Sequence, residues 1–151
     1  HRNFQGYSTC ADADLVGLGV SAIGAVGPTY SQNYRELGEY YDRLHRGQLP
    51  IMRGVELSAD DLVRRAVIQS LMCHFEISKQ QIEAAYLVAF DRHFEAELDE
   101  LQAFEKQGML ALEDGWITVT PRGRFMVRSI CMVFDRYLRE KRPGGRYSRV
   151  I

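Results

Sequence analysis

The sequence predicts a mainly α-helical chain with one small β-hairpin. Three observations carry that prediction. Apolar residues recur at helical spacing in five segments beyond residue 31. Ser and Thr stand where helices begin, with Gly where they end. The pair Asp114-Gly115 lies between two short alternating runs, which is the strongest short-range hairpin signal.

Residues 1–33 are rich in Gly, Ser, Thr and Asn and show no helical period. The run Leu15-Val16-Gly17-Leu18-Gly19-Val20 reads as one buried strand and its loop. That is too few strands for a sheet of its own, so the segment is expected to complete a sheet whose other strands are missing from these residues.

The first helix is expected over Gln32 to Gly47, with Tyr34, Leu37, Tyr41 and Leu44 on one face and Gly47 as its C-cap. Pro50 then opens an extended link, residues 51–57. Ser58 is an N-cap, followed by Asp60 and Asp61 in a first turn whose dipole favours anions. Leu62, Val63, Ala66, Val67 and Leu71 form that helix's apolar stripe. Ser78 caps a short helix with Ile82, Ala85 and Tyr86 inward. A third starts near Phe94, with Leu98, Leu101 and Phe104 inward, and ends at Gly108. After the hairpin, Thr120 and Pro121 open a last long helix with Met126, Ile130, Val133, Phe134 and Tyr137 along its stripe. Three helices, a hairpin and a helix over residues 58–139 follow the order of a winged-helix-like domain. The tail, from Arg139 to Ile151, holds five basic residues, Arg139, Lys141, Arg142, Arg146 and Arg149, against one acid, Glu140.

Composition excludes several function classes. The 151 residues carry a formal net charge of −1, with 46% apolar and 26% charged residues, an ordinary globular balance. No apolar run approaches the roughly 20 residues of a membrane span. No basic start precedes an apolar stretch as in a signal peptide. A winged helix raises nucleic-acid binding, but residues 58–139 hold ten basic against thirteen acidic residues. Glu95, Glu97, Asp99, Glu100 and Glu105 lie where a recognition helix would enter a groove, and phosphate repels them. Their simplest reading is a solvated helix face.

Cys10, Cys73 and Cys131 are odd in number and far apart, as buried or free thiols of a reducing cytosol are. No pair has metal-site spacing, and His1, His45, His74 and His93 form no ligand set. The Gly17-Leu18-Gly19-Val20-Ser21-Ala22 stretch matches a loose dinucleotide pattern but lacks a strand before it. Close packing of glycine backbone against another strand is the plainer reading.

Three segments together resemble a known family. The first is Arg2-Asn3-Phe4-Gln5-Gly6-Tyr7-Ser8-Thr9 with Asp14 to Ile23. The second is Arg64 to Cys73. The third runs from Thr118 through Asp135 and closes Tyr147-Ser148-Arg149-Val150-Ile151. In this order they are similar to the C-terminal third of the oxygen-independent coproporphyrinogen III oxidases, radical-SAM enzymes of haem synthesis. Beginning at His1, the chain reads as a fragment of such a protein.

The resemblance implies a division: 1–33 as the incomplete end of a radical-SAM α/β barrel, 34–57 as a connecting helix and linker, 58–139 as the C-terminal domain, and 140–151 as a basic tail. It implies oxidative decarboxylation of coproporphyrinogen III to protoporphyrinogen IX by the parent, using S-adenosyl-L-methionine (SAM) and a [4Fe-4S] cluster. It further implies that Phe4, Gln5 and Ile23 contact a second SAM, and that the parent is a cytoplasmic monomer acting without nucleic acid or membrane. The cluster's C-x-x-x-C-x-x-C loop is missing from these residues, so no catalytic or metal ligand is expected here. The fragment alone is expected to be inert, with 1–33 loose or wrongly paired. The alternatives are a non-catalytic winged-helix interaction or nucleic-acid-binding module, and a haem chaperone related to the oxidase.

Overall fold

The computed structural model describes residues 2–3, 6–10 and 13–140. The chain divides into two compact units between Leu62 and Val63. It is mixed α/β rather than mainly α. Beside the expected hairpin there are six further strands among the described residues, and most are too short or too polar to show alternation in sequence.

In the first unit, β1 (Arg2–Asn3) and β2 (Gly6–Tyr7) pair antiparallel. β3 (Ile23–Val26), β4 (Thr29–Asn33) and β5 (Ile51–Glu56) form a three-stranded antiparallel sheet in the order β3-β4-β5. The β3–β4 turn is made by Gly27, at φ +53°, and Pro28. The Asp14 carboxylate accepts from the Gly27 N–H at 2.8 Å and ties the turn to the preceding segment.

This sheet corrects four expectations. The strand is not Leu15–Val20, which forms only one isolated bridge, Leu15 to Ala25 at the β3 edge. Nor does the segment want for partners within the chain. Residues 51–56, read as a link, supply the third strand, so the sheet joins residues that the sequence divides between 1–33 and 34–57. The helix also starts later than Gln32. Backbone groups of residues 29–33 are taken by both neighbouring strands, and α1 runs only over Leu37–His45. Its C-terminus closes as expected at Gly47 (φ +67°), with the Gln48 N–H donating to the Arg43 carbonyl at 3.0 Å.

α2 (Ala59–His74) is capped by Ser58. The Asp61 N–H donates to Ser58 Oγ at 3.2 Å, and the Asp61 carboxylate returns to the Ser58 N–H at 2.9 Å, a reciprocal capping box. Val63, Val67 and Leu71 of its predicted stripe are buried.

The second unit holds β6 (Glu76–Ser78), α3 (Lys79–Tyr86), α4 (Phe90–His93), α5 (Glu95–Lys106), β7 (Leu110–Leu112), β8 (Trp116–Val119), a 3₁₀ turn (Gly123–Met126), α6 (Val127–Val133) and α7 (Arg136–Glu140). The expected hairpin is present and turns on Asp114-Gly115, with Glu113 and Trp116 exchanging backbone hydrogen bonds. β6 adds to it in the order β6-β8-β7. The sequence hid β6 because Glu76-Ile77-Ser78 offers a single apolar residue.

Ser78 Oγ accepts from the Gln81 N–H, as its cap role requires, and Ile82 is buried. Ala85 and Tyr86, expected inward, are exposed, because α3 ends at Leu87 in the left-handed region. Thr120 Oγ accepts from the Gly123 N–H at 3.1 Å. The long helix it was to open is instead broken into the 3₁₀ turn, α6 and α7, leaving Met126 and Tyr137 exposed. Ile130, Val133 and Phe134 are buried as expected. At the centre, the Phe94 ring lies 4.8 Å from Phe90 and 5.3 Å, edge-on, from Phe134.

Candidate functional site

In the first unit, residues 15–23 form a glycine loop laid along the β3 edge. Leu15 exchanges both backbone hydrogen bonds with Ala25, at 2.7 and 2.8 Å. The chain then passes over the start of β3. A Cβ on Gly17 would stand 2.9 Å from the carbonyl carbon and oxygen of Ile23, and one on Gly24 would stand 3.1 Å from the Leu15 carbonyl. Glycine is needed at both places because backbone meets backbone. This is the close packing that the sequence suggests. The dinucleotide alternative fails, because a turn and β3 follow the glycines where a helix would be needed.

The loop is pinned from beneath. Asn33 Nδ2 donates to the carbonyls of Gly17 (3.0 Å) and Gly19 (2.9 Å). The Gly19 N–H donates to the Tyr40 hydroxyl at 3.1 Å, and the Ser21 N–H to the Tyr34 carbonyl at 2.8 Å. Gln32 Nε2 reaches the Ser21 carbonyl at 3.3 Å while its Oε1 accepts from Arg53.

Of the three residues expected to contact SAM, Ile23 begins β3, half-buried and opposite Gln32. Phe4 and Gln5 lie outside the described residues, as do Lys141 to Ile151 of the basic tail. Beside Ile23 the loop leaves Val16 69% and Leu18 84% exposed. Free apolar side chains on a backbone held this firmly suit one wall for a ligand with an apolar face. They fit SAM in that respect.

An iron–sulfur cluster does not fit the described residues. Cys10 is exposed, Cys73 half-buried and Cys131 buried, and no group of three His, Cys, Asp or Glu side chains is placed to hold a metal among them. Burial, with a smaller contribution from the neighbouring Cys73, pushes the Cys131 thiol up to about 12. It is a packed thiol whose Sγ lies 3.8 Å from the Ile68 carbonyl.

The acidic face of α5 is corrected in one respect. Glu95 and Asp99 are exposed, but Glu97 is buried between Arg64 of α2 (2.8 Å) and Arg139 of α7 (2.7 Å). Arg139 also meets Glu100 at 2.8 Å, and Arg64 donates to the Phe134 carbonyl at 3.1 Å. The cluster ties α2, α5 and α7 together and is structural. Sequence reasoning missed it, since Arg64 and Glu97 lie 33 positions apart with no motif joining them. It missed Asn33 because that residue's partners are backbone carbonyls.

Residues 57–126 match the family described as the HemN C-terminal domain. That stretch of this chain is thus similar to a HemN C-terminal domain. Around that domain the likeness extends to nearly the whole chain. It is 48% identical over 150 residues to an oxygen-independent coproporphyrinogen III oxidase of Pseudomonas aeruginosa, covering 99% of this chain and 32% of that protein. With an enzyme of the same name from Escherichia coli K12 it shares 43% over 151 residues, which is 33% of that protein. A solved structure described as coproporphyrinogen III oxidase (HemN) from Escherichia coli, a radical SAM enzyme, superposes with a TM-score of 0.88 at 43% identity. The match covers 91% of this chain and 32% of that one. The chain thus spans about a third of the length of these relatives. Among its described residues no helix is long and apolar enough to cross a membrane.

Proposed function

We propose that this chain is the C-terminal part of an oxygen-independent coproporphyrinogen III oxidase, the enzyme that oxidatively decarboxylates coproporphyrinogen III to protoporphyrinogen IX. The observation that carries the reading is identity of 43–48% to proteins of that name from end to end of the chain, not only over the HemN C-terminal domain.

In this reading residues 1–33 end the radical-SAM barrel, 34–57 connect it, 58–139 are a winged-helix-like domain and 140–151 a basic tail. The order α2, β6, α3, α4–α5, β7–β8 supports the winged helix. The acidic α5 and the Glu113-Asp114 hairpin tip speak for a packing role and against DNA. SAM and a [4Fe-4S] cluster, held mostly by the rest of the parent, supply the oxidising chemistry. This chain's share is placement. Ile23 and Phe4 wall an apolar face of the second SAM, and Gln5 offers an amide with both donor and acceptor. Arg142, Arg146 and Arg149 of the tail are suited to substrate propionates through charge-assisted hydrogen bonds. The parent works as a cytoplasmic monomer, and the fragment alone is inert.

The test is an anaerobic assay of the full-length protein with coproporphyrinogen III, SAM and a reductant. Protoporphyrinogen IX is the expected product. SAM consumption without decarboxylation would redirect the assignment to another radical-SAM activity, and haem binding without turnover to a chaperone.

A further inference from the structure

We propose that Asn33 is the positioning residue of the glycine loop, and that it sets the shape in which Leu15 to Ile23 can wall a SAM molecule. The inference rests on the SAM reading of this segment given above.

Asn33 closes β4 at the point where the register with β5 shifts, between Gln32 and Asn33. It is buried, at 6% exposure. A carboxamide offers two N–H donors, and here the nitrogen reaches two carbonyls, those of Gly17 and Gly19, at 3.0 and 2.9 Å. Its backbone N–H also donates to the Ala22 carbonyl at 2.9 Å. One residue therefore holds three positions, Gly17, Gly19 and Ala22, of the nine-residue loop. The two carbonyls converge on one nitrogen, an arrangement only a double donor satisfies.

Contact carries the effect onward. Gly17 lies so close to Ile23 that a Cβ would meet the Ile23 carbonyl at 2.9 Å. A shift at Gly17 is felt at Ile23 and at the exposed Val16 and Leu18 beside it. The Tyr40 hydroxyl, accepting from the Gly19 N–H, is a second and separate anchor. Asn33 touches no ligand in this account; it acts through the loop.

The experiment uses the full-length protein with Asn33→Asp, which is isosteric but lacks both donors. Thr29→Ala, which loses a hydrogen bond to the Val26 carbonyl at the far end of β4, is the control. Amide exchange is followed at Gly19 and Ser21, alongside KM for SAM and kcat. Exchange of the β4–β5 amides identifies a variant that has lost its fold. In that case Asn33→Ser, which keeps a shorter donor, is read in its place.

The expected result is faster exchange at Gly19 and Ser21 by about tenfold or more, with the second unit unchanged. KM for SAM should rise by about tenfold while kcat moves little, the mark of lost binding geometry. Thr29→Ala should change neither. Unchanged loop exchange in Asn33→Asp would overturn the positioning role. Faster exchange with unchanged KM would show that the loop is held by Asn33 but walls no SAM, which overturns the inference through its premise.

Discussion

Arg64 donates to the Glu97 carboxylate at 2.8 Å, across a gap of 33 residues, with Glu97's side chain only 5% exposed. Arg139 reaches the same oxygen at 2.7 Å. One carboxylate thus bridges two guanidinium groups, and Glu100 supplies Arg139 with a second anion. Removing it leaves both cations without their shared anion in a poorly hydrated site. Glu97→Ala should destabilise the second unit by about 3 kcal/mol, and Glu97→Gln, which keeps an acceptor, by less. Urea unfolding of the variants checks this. Because the cluster is largely out of water, 0.5 M salt should rescue neither variant.

Cys131 gives the second unit a pH dependence of known sign. Its thiol is raised from 9.0 to about 12 in the folded chain, chiefly by burial. The unfolded thiol therefore loses its proton first, and the unfolded state gains from every rise in pH above about 9. Stability contributed by Cys131 is complete below that pH and drains away between about 9 and 12. The stability difference between the native sequence and Cys131→Ala should be flat from pH 6 to 8. It should shift against the native sequence above pH 9. At pH 8, alkylation should strike exposed Cys10 at once and Cys131 only on unfolding.

Two glycines should tolerate no side chain. A Cβ on Gly123 would overlap the Met109 carbonyl, where the turn after Thr120 packs against the start of the β7 segment. Gly123→Ala should cost the second unit about 2–3 kcal/mol or more. Gly17→Ala should instead loosen only the glycine loop and leave the second unit's melting unchanged. The closest atoms there are backbone, so neither site relaxes by turning a side chain.

Much of the chain beyond β5 was legible because its signals are local. Ser58 and Ser78 cap where a hydroxyl one turn ahead can reach an N–H. Asp114-Gly115 turns where its residues allow it. Val63, Val67 and Leu71 keep one face by their spacing alone. What stayed hidden is held by distant partners. β5 is exposed along its whole length, so no alternation marks it; it is a strand because β4 lies beside it. The stretch Leu15–Val20 is apolar enough for a buried strand, yet Gly17 and Gly19 bend it away from one. Glu97 is indistinguishable from its exposed neighbours until Arg64 and Arg139 are brought to it. At the candidate site the family resemblance supplied Ile23, while the anchor beneath it, Asn33, has no signature because it binds carbonyls that any residue possesses.

The most direct test of the account counts SAM. Equilibrium binding to the full-length, cluster-loaded protein should give two SAM molecules per chain. Ile23→Arg, placing a charged stem against the apolar face of the second, should give one and leave the cluster's absorption unchanged. A count of one in the native protein, or of two in Ile23→Arg at unchanged affinity, would contradict the claim that this segment walls a SAM site.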